Sequence, residues 1–222
     1  MDALLRRRMM MMAGSGPTPP TPLSYITDGL VAHFDGIDKG SDSTKWTSLV
    51  GSAYYTLNTH SSVETNAIVM DGAGVITGTN RVSIGGKAGT IEVCAQYLGT
   101  AGSAIVLNGS ASGQLCFIIG GAGYGFCVNG GSNQWNTTKV ALFTCSANNS
   151  RCMLNGTVVG TKATNNWTSY SDTIGGRASG SNKYYANIRI YSIRMYNRLL
   201  SEAEMLNNQK VDNIRFSLGF SI

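Results

Sequence analysis

The segment that most restricts the fold of this chain is near its C-terminus. Residues 171–177, Ser-Asp-Thr-Ile-Gly-Gly-Arg, read as a short strand closing on a Gly-Gly turn. After a loop comes YYANIRIYSIRMYNRLLSEAE, residues 184–204. Ile188 and Ile190 alternate, and so do Ile193 and Met195, but the second pair is out of phase with the first by one residue. A period-2 strand with a single slip is a strand carrying a bulge. Ser201, followed three residues later by Glu204, is a capping box in which hydroxyl and carboxylate satisfy free N–H groups at a helix start. The helix it opens, to about Gln209, is too short to stand alone and must dock on a sheet through Leu206 and its neighbours.

The rest of the chain reads as short strands. Apolar runs at 30–34, 54–57, 67–70, 81–84, 90–97, 104–107, 115–119, 124–128, 139–145, 151–154, 157–160 and 214–220 are separated by turn residues. Within 90–97, Ile91, Val93 and Ala95 alternate with Glu92, Cys94 and Gln96. Asp71-Gly72 and Asn155-Gly156 are hairpin signals. No helices alternate with the strands, which excludes parallel α/β folds. The expected fold is all-β: a two-sheet antiparallel jelly-roll sandwich with one short C-terminal helix and an extended N-terminal arm. The domains are an arm at 1–13, a Pro/Gly linker at 14–23 that holds all four prolines, and a sandwich at 24–222. Prolines make the linker a semi-rigid spacer.

These motifs resemble the concanavalin A-like lectin/glucanase superfamily in its laminin G-like branch. The likeness lies in Ile174-Gly175-Gly176-Arg177, in the strand and capping box that follow, in the opening DGLVAHFDG at 28–36, in Thr90–Val93, and in the hairpin CMLNGTVVG at 152–160. Asn187 stands where the family usually has Gly. The resemblance implies the fold and says little of function, because one scaffold serves lectins, hydrolases, adhesins and virion proteins. Trp46 matches an early family position and is expected in the core.

The arm sets up the functional expectation. Leu4, Leu5, Arg6, Arg7, Arg8, Met9 and Met10 are the candidate assembly anchor. Methionines fill irregular apolar grooves, and arginines pair with acidic surfaces. An expression-tag remnant is the alternative reading. The arm and its spacer resemble, more weakly, small head- or tail-decorating proteins of tailed phages. That implies a virion location, partners reached through the arm, and a homo-oligomer such as a trimer. Residues 1–16 carry +2 of the net charge of +5, and the sandwich has no basic stripe, so a dedicated nucleic-acid reader is not expected. The apolar run at 9–13 is shorter than a signal-peptide core, and no stretch is long enough for membrane insertion.

Candidate chemistry is sparse. Glucanases of the superfamily pair carboxylates along one strand. Here the only glutamates are Glu64, Glu92, Glu202 and Glu204, with no second carboxylate beside Glu92, so no enzyme is expected. Asp35, Asp38 and Asp42 offer oxygen ligands that could suit Ca2+, or are simply polar turn residues. No other cofactor is implied. Trp135, Trp167, Tyr184 and Tyr185 lie in loop-like, Asn-rich contexts and are the candidates for stacking on host or mucosal glycans. Trp135 and Trp167 could instead cap the sandwich edge or face another subunit. Cys94, Cys116, Cys127, Cys145 and Cys152 lack metal-ligand spacing and read as buried thiols, with a Cys145–Cys152 disulfide across a hairpin as the alternative.

Overall fold

The structure is a computed structural model that describes residues 23–79, 89–99, 104–108, 115–120, 123–128, 131–136, 141–148, 151–160, 173–176, 178–179 and 182–222. The arm, Trp167 and the expected strand at 81–84 lie outside them.

In chain order the strands are β1 (Leu30–Asp35), β2 (Lys45–Thr47), β3 (Tyr54–Thr56), β4 (Ser61–Val63), β5 (Ile68–Asp71), β6 (Ile76–Thr79), β7 (Thr90–Tyr97), β8 (Ala104–Asn108) and β9 (Leu115–Gly120). They continue as β10 (Gly123–Val128), β11 (Gly131–Asn136), β12 (Leu142–Asn148), β13 (Cys152–Leu154), β14 (Thr157–Gly160), β15 (Thr173–Ile174), β16 (Ala178–Ser179), β17 (Asn182–Lys183) and β18 (Asn187–Tyr196). One helix, α1 (Glu202–Arg215), closes the described fold.

Two eight-stranded antiparallel sheets form the sandwich. The first runs β14-β13-β12-β7-β18-β5-β4, with β1 also paired to β18, and the second runs β11-β10-β9-β8-β15-β6-β3-β2. β18 is the axis of the first sheet because it pairs with β7 along its length, with β5 over its first half and with β1 over its second. The slip read in the sequence is present: β18 shifts register against β7 between Ile190 and Ser192. Ile188, Ile190, Ile193 and Met195 are all fully buried in the core between the sheets, with Ile91, Val93, Ala95, Phe143, Trp46 and Tyr55. Without the bulge, Arg194 would point into that core in place of Ile193 or Met195.

Four expectations need correction. Asp71-Gly72 is not a hairpin: β5 belongs to the first sheet and β6 to the second. Gly72, at φ +77°, with Asp71 Oδ1 accepting from Ala73 N at 2.8 Å, turns the chain from one sheet to the other. The residues expected as a final strand at 214–220 instead end α1 and continue without a strand. The helix runs six residues past Gln209. Trp135, expected in a loop, lies in the edge strand β11. The Asn155-Gly156 hairpin holds, with both residues at positive φ (46° and 79°) joining β13 to β14, as a two-residue turn of the primed type requires.

Candidate functional site

The centre of the first sheet, β7, β12 and most of β18, is buried on both faces. Its outer face, under α1, carries Glu92, Thr144, Ser146, Ser192 and Arg194, none with any exposed surface. The helix is opened by the predicted capping box, with Ser201 and Glu204 bonding reciprocally. The face it lowers onto the sheet is half polar: Met205, Asn208, Gln209, Val211 and Asp212 are buried.

These groups satisfy one another. Arg194 donates from Nε to Glu92 at 2.8 Å and through both terminal nitrogens to Asp212, each at 2.7 Å. Glu92 also accepts from Ser146 at 2.7 Å and from Asn208 at 2.9 Å. Asp212 accepts from Thr144, Ser192 and Tyr25. Gln209 donates to Ser146 and to the Met153 carbonyl, and its own carbonyl accepts from Gly156 N. Burial pushes the Glu92 carboxyl up against the pull of Arg194. Burial opposes the Arg194 charge, yet Asp212 and Glu92 hold it well above its usual value. A buried ion cluster survives only when its lone pairs and protons are taken up in this way.

The segment 23–28, through which the arm joins the sandwich, is fastened into this layer. The Tyr25 ring lies over the Arg194 guanidinium at 4.2 Å and meets the His33 ring edge-on at 5.0 Å. Its hydroxyl donates to Asp212 at 2.9 Å. Burial and Asp212 together raise its pKa. Ile26 N donates to Asn208 Oδ1 at 2.9 Å, the Ile26 carbonyl accepts from Tyr196 at 3.0 Å, and the Ser24 carbonyl accepts from Asn207 at 2.8 Å. Two grooves flank the strap. One, of about 530 Å3, is bordered by Thr27, Asp28, Arg198, Glu204 and Asn207. The other, of about 430 Å3, is more apolar and is bordered by Leu23, Ile37, Val211, Ile214 and Arg215.

His33 closes the inner end of the strap. Its Nε2 is a buried side-chain nitrogen without a hydrogen-bond partner, 3.6 Å from Asp35 Oδ2. Burial, then the Arg194 charge, lower its pKa to about 4. Burial opposes ionisation of Asp35, but Arg215 and the amides of Asp38 and Ile37 outweigh it and lower its pKa.

The candidate calcium ligands take part in contacts of the same kind. Asp35 and Asp38 do meet, but around a guanidinium: Arg215 reaches Asp35 and Asp38, each at 2.6 Å. Asp42 belongs to a separate turn, where it accepts from Thr44 and pairs with Lys45 at 2.8 Å. Among the described residues no group of three His, Cys, Asp or Glu side chains could hold a metal ion. All four glutamates are paired with arginine: Glu64 with Arg189, Glu92 with Arg194, Glu202 with Arg151 and Glu204 with Arg198.

The aromatic candidates are not gathered into one described site. Tyr184 is exposed and Tyr185 half-buried, between β17 and β18. Trp135 is the additional residue of a bulge on β11, since Tyr124 pairs with Asn136 while Gly125 pairs with Gln134. The residues that sequence reasoning missed are those of the polar layer. Glu92, Arg194 and Asp212 are scattered along the chain, and only the antiparallel pairing of β7 with β18 and the docking of α1 bring them together.

No family model matches the chain, and no curated protein matches it by sequence. Solved structures do resemble it. The sialidase of Trypanosoma rangeli, in complex with 2,3-difluorosialic acid, superposes with a TM-score of 0.61 at 12% identity, over 86% of this chain and 35% of that one. The binding domain of botulinum neurotoxin DC, in complex with rat synaptotagmin II, gives 0.60 at 10% identity, over 84% of this chain and 52% of that one. Botulinum neurotoxin type C, a toxin that interacts with two ganglioside molecules, gives 0.56 at 10% identity, over 83% and 51%. The chain thus spans about a third of the sialidase and about half of each toxin chain. At such identities the likeness establishes the all-β sandwich fold. Among the described residues, no helix is long and apolar enough to cross a membrane.

Proposed function

We propose that this chain is a non-enzymatic structural protein, a laminin G-like sandwich held in a large assembly by its N-terminal arm and displayed outward. The observation that carries this reading is the root of the arm. Tyr25 and the backbone of Ile26 are bonded into the buried layer between α1 and the first sheet, and the Ser24 carbonyl accepts from Asn207 at its exposed rim. A tether whose last residues are part of the domain's packed structure holds the domain without a loosely fraying joint. The arm itself, Leu4 to Met10, combines apolar, polarisable and cationic side chains suited to a groove with an acidic rim. Sparse charge and an arm-spacer-head order fit a tailed-phage virion, as a capsid decoration or a fibre component, assembled as a homo-oligomer. The ion pairing of all four glutamates leaves none unpaired for acid-base work at a glycosidic bond.

The test is deletion of residues 1–16. The expected result is a folded head, with the circular dichroism of the full chain, that no longer enters the assembly. A deletion that assembles normally overturns the reading.

A second reading, glycan binding by the head, draws on Trp135 at an edge-strand bulge and on the exposed Tyr184. It also draws on the fold shared with a toxin that interacts with gangliosides. Bulges at sheet edges commonly re-aim side chains at binding sites. Glycan-array binding that is lost in Trp135→Ala or Trp167→Ala supports it, and an array with no signal removes it.

A further inference from the structure

Cys145 and Cys152 are both free and 1% exposed, and their sulfurs are 3.6 Å apart. In the β12–β13 ladder Cys145 stands opposite Leu154 and Cys152 opposite Ala147. The two thiols are therefore diagonal neighbours on one face of the sheet, both in the core cluster between the sheets. A disulfide needs its sulfurs at about 2.0 Å, so roughly 1.6 Å of approach is required, and diagonal neighbours close that gap by side-chain rotation together with a small shift of the short edge strand β13. Cys94 cannot compete, because it sits on the opposite face with Ala67, Tyr191 and Phe216.

We infer that Cys145 and Cys152 form a redox-responsive pair that closes to a disulfide in an oxidising medium and staples the edge of the first sheet. The edge position supplies access. β14 is the outermost strand, β13 beside it has three residues, and Cys152 is the first of them, whereas Cys145 lies on β12 between β13 and β7. Fraying from the edge uncovers Cys152 before Cys145. The Cys152 thiolate then attacks a low-molecular-weight disulfide, such as oxidised glutathione, and releases one small thiol. The Cys145 thiolate attacks the Cys152 sulfur of that mixed disulfide, the protein S–S bond forms, and the second small thiol leaves. Two protein thiols are oxidised and one small disulfide is reduced to two thiols. This step is independent of what the arm does.

Trypsin makes the test direct, because Arg151 separates the two cysteines. Cys145 falls in peptide 140–151, Cys152 in peptide 152–162, and the other three cysteines together in peptide 88–139. The full chain is incubated with oxidised glutathione or with dithiothreitol, alkylated, digested and weighed. The expected product of oxidation is 140–151 joined to 152–162, reversible by dithiothreitol, with a thermal midpoint raised in the parent chain and unchanged in Cys152→Ala. Both thiols still alkylated after oxidation, a mixed disulfide that persists at Cys152, or a link to 88–139 overturns the inference.

Discussion

The two faces of the first sheet are both buried at its centre and are held there by opposite means. On the inner face Ile91, Val93, Ala95, Ile188, Ile190, Ile193 and Met195 are buried by apolar contact alone. On the outer face Glu92, Ser192, Arg194 and, from the helix, Asp212 have no exposed surface, and each is held by directional bonds. The inner face stabilises in proportion to area and tolerates changes of shape. The outer face is all-or-none, since every partner removed leaves another buried polar group unsatisfied. What the polar layer adds is specificity of place. It fixes α1 and the strap 23–28 in one register on the sheet, which a greasy interface of the same area would not define as sharply.

The sharpest way to break this contrast is Arg194→Met. It leaves Glu92 and Asp212 buried without a countercharge, and a loss of about 3–5 kcal/mol is expected by denaturant unfolding. The double variant Arg194→Met with Glu92→Gln should recover part of that loss, as a purely packing effect would not. On the inner face, Ile193→Ala should cost about 2–4 kcal/mol through cavity formation, with no partner substitution that restores it.

Acidification probes the rim of the layer. His33 is buried neutral, with the charges of Arg194 and Arg215 disfavouring its protonation, those of Asp35 and Asp212 favouring it, and the Tyr25 ring edge-on. Its folded pKa of about 4 lies below the unfolded value of 6.5, so the unfolded chain takes up the proton first. Stability from this group is complete above pH 6.5 and is lost as the pH falls towards 4, by about 3 kcal/mol in all. Glu92, raised by burial, works in the opposite sense. Glu204, lowered to about 2 by Arg198, gives stability that is complete above its unfolded value near 4.5 and is lost only below it, outside this window. The slope between pH 6.5 and 4.5 should therefore flatten in His33→Gln. An unchanged slope would place the acid sensitivity elsewhere. Tyr25→Phe is the mildest probe: losing the hydroxyl bond to Asp212 should cost about 1–2 kcal/mol and loosen the strap before the sheet.

The inner face was legible in the sequence and the outer face was not. Period-2 alternation with one slip located β18 and its bulge, and Ser201 with Glu204 located the start of α1. The end of α1 escaped because its buried side carries Asn208, Gln209 and Asp212. Hydrophobic periodicity reads such residues as a solvent face, and Ile214, Phe216, Leu218 and Phe220 then imitate a strand. Asp71-Gly72 misled in a different way, since a turn signal marks a change of direction and not which sheet receives the chain. Two of the carboxylates read as calcium ligands, Asp35 and Asp38, share Arg215, which is 180 residues away from Asp35 and leaves no local signal, whereas Asp42 pairs with Lys45.

The central claim is that residues 23–28 belong to the folded domain and root the arm in its polar layer. Native-state hydrogen exchange at the Ile26 amide, which donates to Asn208 Oδ1, tests it most directly. Protection comparable with the amides of α1, reduced selectively in Tyr25→Phe, is the predicted result. Exchange at the rate of an unstructured peptide, with α1 and β18 still protected, would mean that the strap is not bonded to the sandwich and that the arm has no root in it.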